Sequence, residues 1–191
     1  MNYSYLKKNA KNSLMKKIFT LLLLCTINLI IAQTSEEIVK KANEIQTKWG
    51  YKATNKNIIT LIDFSKSIEE ARLYVIDLKN NKILLTSNVD HGSGSGTGLT
   101  PHAFSNNVGS NATSLGCYVT LQTYKGMWGY SLKLNGLESD KNSNALKRNI
   151  VVHSSKRMYS KFSSGCFSVP DKNSNILIDL IKGGSLVYAY Q

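Results

Sequence analysis

The 191-residue chain has only three cysteines, two prolines and three histidines, and each scarcity removes a class of explanation. Cys25, Cys117 and Cys166 are too few for a disulfide-dense scaffold. Two prolines leave no room for a proline-rich linker, and no internal repeat or low-complexity segment divides the chain. His91, His102 and His153 are 11 and then 51 residues apart, and no His-Glu-x-x-His pattern exists. That spacing matches no close-set metal motif, so neither a metal nor another cofactor is expected.

Acids are also few, 12 against 24 lysines and arginines. Five of the lysines and none of the acids lie in residues 1–32, so 19 basic and 12 acidic side chains follow, a net charge of +7. A basic surface suits an anionic partner or simply a solvated exterior. Lysines and arginines do not run interleaved with aromatics, which argues against nucleic acid as that partner. The 42% hydrophobic content is ordinary for one globular domain with a real core.

The single long apolar run follows Met15-Lys16-Lys17 and extends from Ile18 to Ile31, broken by Thr20, Cys25, Thr26 and Asn28. It is shorter than the roughly 20 apolar residues of a spanning helix and ends at Ala32-Gln33. The pattern is that of a secretory signal peptide read from Met15 and cleaved after Ala32. Ile30 stands where a small residue is usual, which keeps an uncleaved membrane anchor as the alternative. The expected organisation is a leader over 1–32, a helical extension and first strand over 33–62, and a catalytic domain over 63–191. An exported protein of the periplasm or cell envelope is expected, touching the membrane, if at all, only through an uncleaved leader.

Thr34 and Glu37 form a capping-box pattern ahead of Ile38, Ala42, Ile45 and Trp49, which predicts an amphipathic helix over 34–49. Strand-like runs occupy 57–64, 73–77 and 83–86, the last two joined by a Lys79-Asn-Asn-Lys82 turn. A further single helical turn is expected at Ser67 to Glu70. More strand-like runs lie at 117–120, 131–134, 149–153 and 185–190, and a helix capped by Asp171 ends before Gly183-Gly184. The fold class expected is mostly β. The glycine-rich loop 91–100 lacks the Lys-Ser/Thr ending of a nucleotide-binding loop.

Nucleophilic cysteine chemistry needs a thiolate, and therefore a base close to the sulfur. His153 closes an apolar run thirteen residues before Cys166, and Gly165 lets the backbone turn sharply beside it. On spacing alone, three readings stand: a Cys-His dyad, a buried cysteine beside a structural histidine, and a Cys117 to Cys166 disulfide. The aromatics Tyr118, Tyr124, Trp128 and Tyr130 read first as core and hairpin packing, and alternatively as a cap on the site.

Several separated motifs then stand in order: His91-Gly-Ser-Gly-Ser-Gly96, Phe104-Ser-Asn106, Gly109-Ser110, Ser114-Leu-Gly116, Asn135-Gly-Leu-Glu138, Arg148-Asn-Ile-Val-Val-His-Ser154 and Ser164-Gly-Cys166. From Asp63 to Tyr190 the chain resembles the YkuD-type murein L,D-transpeptidase catalytic domains. The resemblance implies a β-sandwich or barrel with a few peripheral helices. It also implies attack by cysteine on peptidoglycan stem peptides, between the third residue and the terminal D-alanine, with release of D-alanine and an acyl-enzyme thioester.

Carried over by position, Cys166 is the nucleophile and His153 its base. The Ser154 carbonyl orients the imidazole, and the Gly165 and Cys166 amides bind the oxyanion. His91 and Gly92 of the glycine-rich loop, Ser164 and Arg148 would touch substrate, although His91 and Arg148 read equally well as structural. Ser164 stands where many members of the wider family have a histidine. The partners implied are donor and acceptor stem peptides, giving 3-3 cross-links. The alternatives are an L,D-carboxypeptidase or hydrolase on the same fold, or an inactive wall-binding protein.

Overall fold

A computed structural model describes residues 3–155 and 162–191 and, within them, no side chain of 3–14 or 27–32. The side chains around the expected cleavage point at Ala32 thus lie outside the described residues. The chain divides into two compact units, Met1–Ile38 and Val39–Gln191.

Helix α1, Tyr3–Trp49, does not start at Thr34 as the capping box suggested. Neither glycine nor proline occurs before Gly50, so nothing breaks the helix upstream. In the first unit Phe19, Leu21 and Leu22 are exposed. Among the described residues, no helix is long and apolar enough to cross a membrane.

The second unit is mostly β. Eight strands, β1 (Ile58–Asp63), β2 (Leu73–Asp77), β3 (Lys82–Ser87), β4 (Gly116–Gly126), β5 (Gly129–Gly136), β6 (Val151–Ser155), β7 (Phe167–Pro170) and β8 (Leu186–Tyr190), form one mixed sheet. The order is β3-β2-β1-β8-β4-β5-β6-β7. The β2–β3 hairpin forms where expected, and Asn81 carries the turn at φ 49°. Asparagine tolerates that left-handed conformation better than most residues. β4 and β5 run several residues past their apolar cores into a second hairpin around Met127-Trp128.

Ser67 to Glu70 forms a turn rather than a helical turn, with the Glu70 carboxylate accepting the Ser67 amide at 3.0 Å. Helix α2, Asp171–Ile181, has Pro170 in the cap position and Asp171 as its first helical residue. A carboxylate there complements the positive end of the helix dipole. Its Leu177, Ile178 and Ile181 join Leu132, Leu134, Val152, Phe167, Val169 and Tyr118 in the core.

Among the named strands of the described residues two pairings are parallel, β1 with β8 and β6 with β7. In the second, Val152 opposes Phe167 and His153 opposes Ser168. Strand side chains alternate between faces, so Val152 and Phe167 enter the core while His153 and Ser168 face the other way.

Leu134 is fully buried in this core, whereas Leu84 on β3 is 38% exposed. Leu134→Ala is expected to cost about 2–5 kcal/mol in denaturant unfolding. Leu84→Ala should stay within about 0.5 kcal/mol of wild type. Equal losses would contradict this packing.

Candidate active site

Cys166 immediately precedes β7 and, two residues before Ser168, projects from the face that carries His153. Both residues line one cavity of about 370 Å³, together with Asp90, Ser93, Trp128 and Ser164. His153 is buried, and the Trp128 indole stacks on its ring with centroids 5.2 Å apart. The cavity is thus lined by an aromatic plate from the β4–β5 hairpin and by the cysteine loop.

The histidine's proton is placed by its partner. Nδ1 lies 2.8 Å from the Ser154 carbonyl oxygen, which can only accept, so Nδ1 carries the hydrogen and Nε2 is the basic nitrogen. Ser154 is itself held, its hydroxyl donating to Asp171 Oδ1 at 2.5 Å. Burial pushes the His153 pKa down, partly offset by its bond to Ser154 and by the Asp90 carboxylate. Burial pushes the Cys166 thiol up, partly offset by a backbone hydrogen bond and by the Arg148 guanidinium. Cys166 Sγ donates to the Asn149 carbonyl at 3.5 Å. Both shifts favour a neutral thiol and a neutral imidazole at neutral pH.

The cysteine loop is held from outside by residues 90–93. Asp90 N–H donates to the Ser168 carbonyl at 2.7 Å, Ser163 N–H to the His91 carbonyl at 3.0 Å, and Ser93 N–H to the Ser163 carbonyl at 2.8 Å. A Cβ on Gly92 would lie 2.2 Å from the Asn111 carbonyl oxygen and 2.9 Å from Gly165 Cα, so only glycine lets the two segments touch. Gly165 itself adopts φ 110°, which other residues rarely reach. The Asp90 carboxylate accepts from Ser155 Oγ at 2.6 Å and Ser168 Oγ at 2.9 Å, tying β6 to β7 beneath the cavity.

The family model for the L,D-transpeptidase catalytic domain matches residues 31–190. The chain belongs to this family. None of the curated proteins is significantly similar to it. Among solved structures it is similar to an L,D-transpeptidase from Mycobacterium smegmatis, at 11% identity and TM-score 0.46 over 71% of this chain and 59% of that one. It is also similar to an L,D-transpeptidase from Stackebrandtia nassauensis, at 14% identity and TM-score 0.46 over 73% and 58%. L,D-transpeptidase 1 of Mycobacterium tuberculosis matches at 14% and TM-score 0.41 over 71% and 62%. The chain thus spans less than two thirds of the length of each of them.

In this L,D-transpeptidase domain several groups expected to contact substrate are engaged within the protein. His91 is fully buried, accepting from Arg72 Nη2 at Nδ1 (3.0 Å) and donating from Nε2 to the Gly96 carbonyl (3.1 Å). Both ring nitrogens are used, so it holds the loop rather than a ligand. The Gly92 amide likewise donates to Thr113 Oγ1 at 2.8 Å.

Arg148 does not offer its fork to a carboxylate. It donates to the carbonyls of Ser105 (2.7 Å) and Ala112, and to Ser114 Oγ at 3.3 Å, stitching three loop positions together. The Gly165 amide, expected at an oxyanion, donates to Ser163 Oγ at 3.1 Å. Cys117 and Cys166 are both free thiols, and burial raises the Cys117 pKa to about 12. Ser164 is exposed at the cavity mouth.

Asp90 and Ser93 escaped the sequence reading, although Asp90 directly precedes the glycine-rich motif. Trp128 was weighed there mainly as hairpin packing, and its place between Gly126 and Gly129 at a hairpin tip was the available signal. Among the described residues, no three His, Cys, Asp or Glu side chains are grouped to hold a metal ion.

Burial holds both His91 and His153 below the ordinary histidine pKa. Protonation then favours the unfolded chain, so stability is full above about pH 6.5 and falls as pH drops through that value toward the lower folded pKa values. Denaturant midpoints should be flat above pH 7 and decline below about 6.5. His91→Gln should show a shallower decline; an unchanged slope would contradict a neutral buried His91.

Proposed function

We propose that this protein is an exported, cysteine-dependent murein L,D-transpeptidase that acts on peptidoglycan stem peptides of the cell envelope. The observation that carries the reading is the shared cavity of Cys166 and His153, with Nδ1 engaged by Ser154 and Nε2 left as base. Its volume of about 370 Å³ suits a short peptide segment. The lysines and apolar run of 15–31 support export, and the basic surface suits an anionic wall.

In this mechanism His153 Nε2 takes the thiol proton as Cys166 Sγ attacks the carbonyl carbon between the third stem residue and D-alanine. The tetrahedral oxyanion is met by backbone amides at Gly165-Cys166. There the Gly165 amide would exchange the Ser163 hydroxyl for a charged acceptor, which makes the stronger hydrogen bond. The carbon–nitrogen bond breaks, the imidazolium returns the proton to the departing amine, and a thioester remains. The side-chain amine of a second stem attacks the thioester, the proton passes back through His153, and a 3-3 cross-link and free thiol result. Asp90, tied to both strands, stabilises the transient imidazolium across the cavity.

Imipenem, held by one of the solved L,D-transpeptidases similar to this chain, is a suitable acylating probe. Intact-mass spectrometry should show addition of one whole carbapenem, because ring opening releases nothing. Cys166→Ala should show none, and His153→Ala should acylate about 10²-fold more slowly or worse. Because the imidazole must be neutral, the wild-type rate should rise with pH along a limb whose midpoint lies below about 6.5. Addition that survives Cys166→Ala would refute the reading.

A further inference from the structure

Beside the cavity of Cys166 and His153 lies a second hollow of about 330 Å³, lined by Tyr124, Lys133, Leu146, Asn149, Ile150 and Val151. Two features fix its position. Asn149 lines it, and the carbonyl of that residue accepts the Cys166 thiol at 3.5 Å. Lys133 on β5 pairs with Val151 on β6, two residues before His153, while its neighbours Leu132 and Leu134 enter the core. By alternation Lys133, Val151, His153 and Cys166 share one face of the sheet. The first hollow is lined by Cys166 and the second by Asn149, the residue that binds its thiol.

They differ in charge. The larger cavity has Asp90 on its wall and, among the described residues, no lysine or arginine. The second is lined by half-buried Lys133, by Tyr124, Asn149 and three aliphatic residues, and by no acid. Lys133 Nζ sits 5.6 Å from the centre of the Tyr124 ring, and among the described residues it makes no ion pair. An aromatic plate on one side fixes the ammonium and leaves its N–H donors to an anion entering the hollow.

We propose that this hollow is the subsite for the terminal carboxylate of the donor peptide, with Lys133 as its cation. The inference rests on Cys166 attacking such a peptide. When a peptide is cut before its last residue, the carboxylate lies one residue beyond the attacked carbonyl, about 3.8 Å of chain away. Its binding site must then adjoin the thiol, as a hollow sharing Asn149 with Cys166 does. Leu146 and Val151 provide an apolar wall for the small side chain of the departing residue. This fixes the direction of the donor, with its leaving end toward β5 and its acyl portion toward Trp128 and Asp90.

The test compares a tetrapeptide ending in L-lysyl-D-alanine as the free acid and as the C-terminal amide, with release of the last residue measured for wild type, Lys133→Gln and Lys133→Arg. Iodoacetamide alkylation of Cys166, which needs no carboxylate, reports on the thiol in each protein. Wild type should favour the acid by about tenfold or more in kcat/KM, as loss of a charged hydrogen bond implies. Lys133→Gln should bring the ratio near one, and Lys133→Arg should keep most of it. A wild-type ratio near one, or a preference that persists in Lys133→Gln with unchanged alkylation, overturns the subsite. Failure of wild type to release the last residue from either peptide instead overturns the transpeptidase reading, and the subsite with it.

Discussion

The geometry of the site depends on one constraint, the parallel register of β7 against β6. Val152 and Phe167 are opposed, both fully in the core, and each is packed from behind by α2. A slip of one residue would turn Phe167 to solvent and bring Ser168 into an apolar interior, so burial fixes the register. Once it is fixed, pleating puts His153, Ser168 and Cys166 on the opposite face. The chemistry is thus positioned by hydrophobic packing on the other side of the same two strands.

A second layer holds the loop that precedes β7, and it is polar and buried. Arg72, with no exposed surface, donates to the carbonyls of Val89 and Lys66 and to His91, and burial lowers its pKa to about 10. Through His91 this anchors the glycine-rich loop, whose backbone pairs with residues 163–168. Arg148 does the same from the other side by binding the loop at 105–114. Buried or half-buried cations whose donors are engaged by carbonyls and by His91 or Ser114 are costly to disturb, because a lost partner leaves a polar group unpaired. The result is a cysteine loop clamped between two arginine-centred networks.

The elements carried by local pattern were legible in the sequence. Asn80-Asn81 marked the first hairpin, β-branched runs marked most strands, and the apolar spacing of Leu177, Ile181 and their neighbours marked α2. β7 was not, because four residues ending in Pro170 leave too short a run to show a period. The helix start at Thr34 misled, since a capping box stops nothing when no helix breaker precedes it. At the site, Cys166, His153 and Gly165 could be singled out from local chemistry, and Ser154 from the family resemblance. His91 and Arg148 could not be assigned, because their partners lie 19 and 34 to 43 residues away in sequence. Trp128 and Asp90 join the cavity only through sheet order, which a single sequence does not display.

The central claim is that these strands bring a neutral thiol and a neutral imidazole to one cavity, and thiolate absorbance tests it most directly. The measurement is the ultraviolet pH titration of wild type minus that of Cys166→Ala, so that Cys25 and Cys117 cancel. The account predicts no thiolate signal from Cys166 at neutral pH, with ionisation only above the ordinary thiol range. A thiolate already formed in mildly acidic solution would mean a preformed ion pair with His153, and would contradict it.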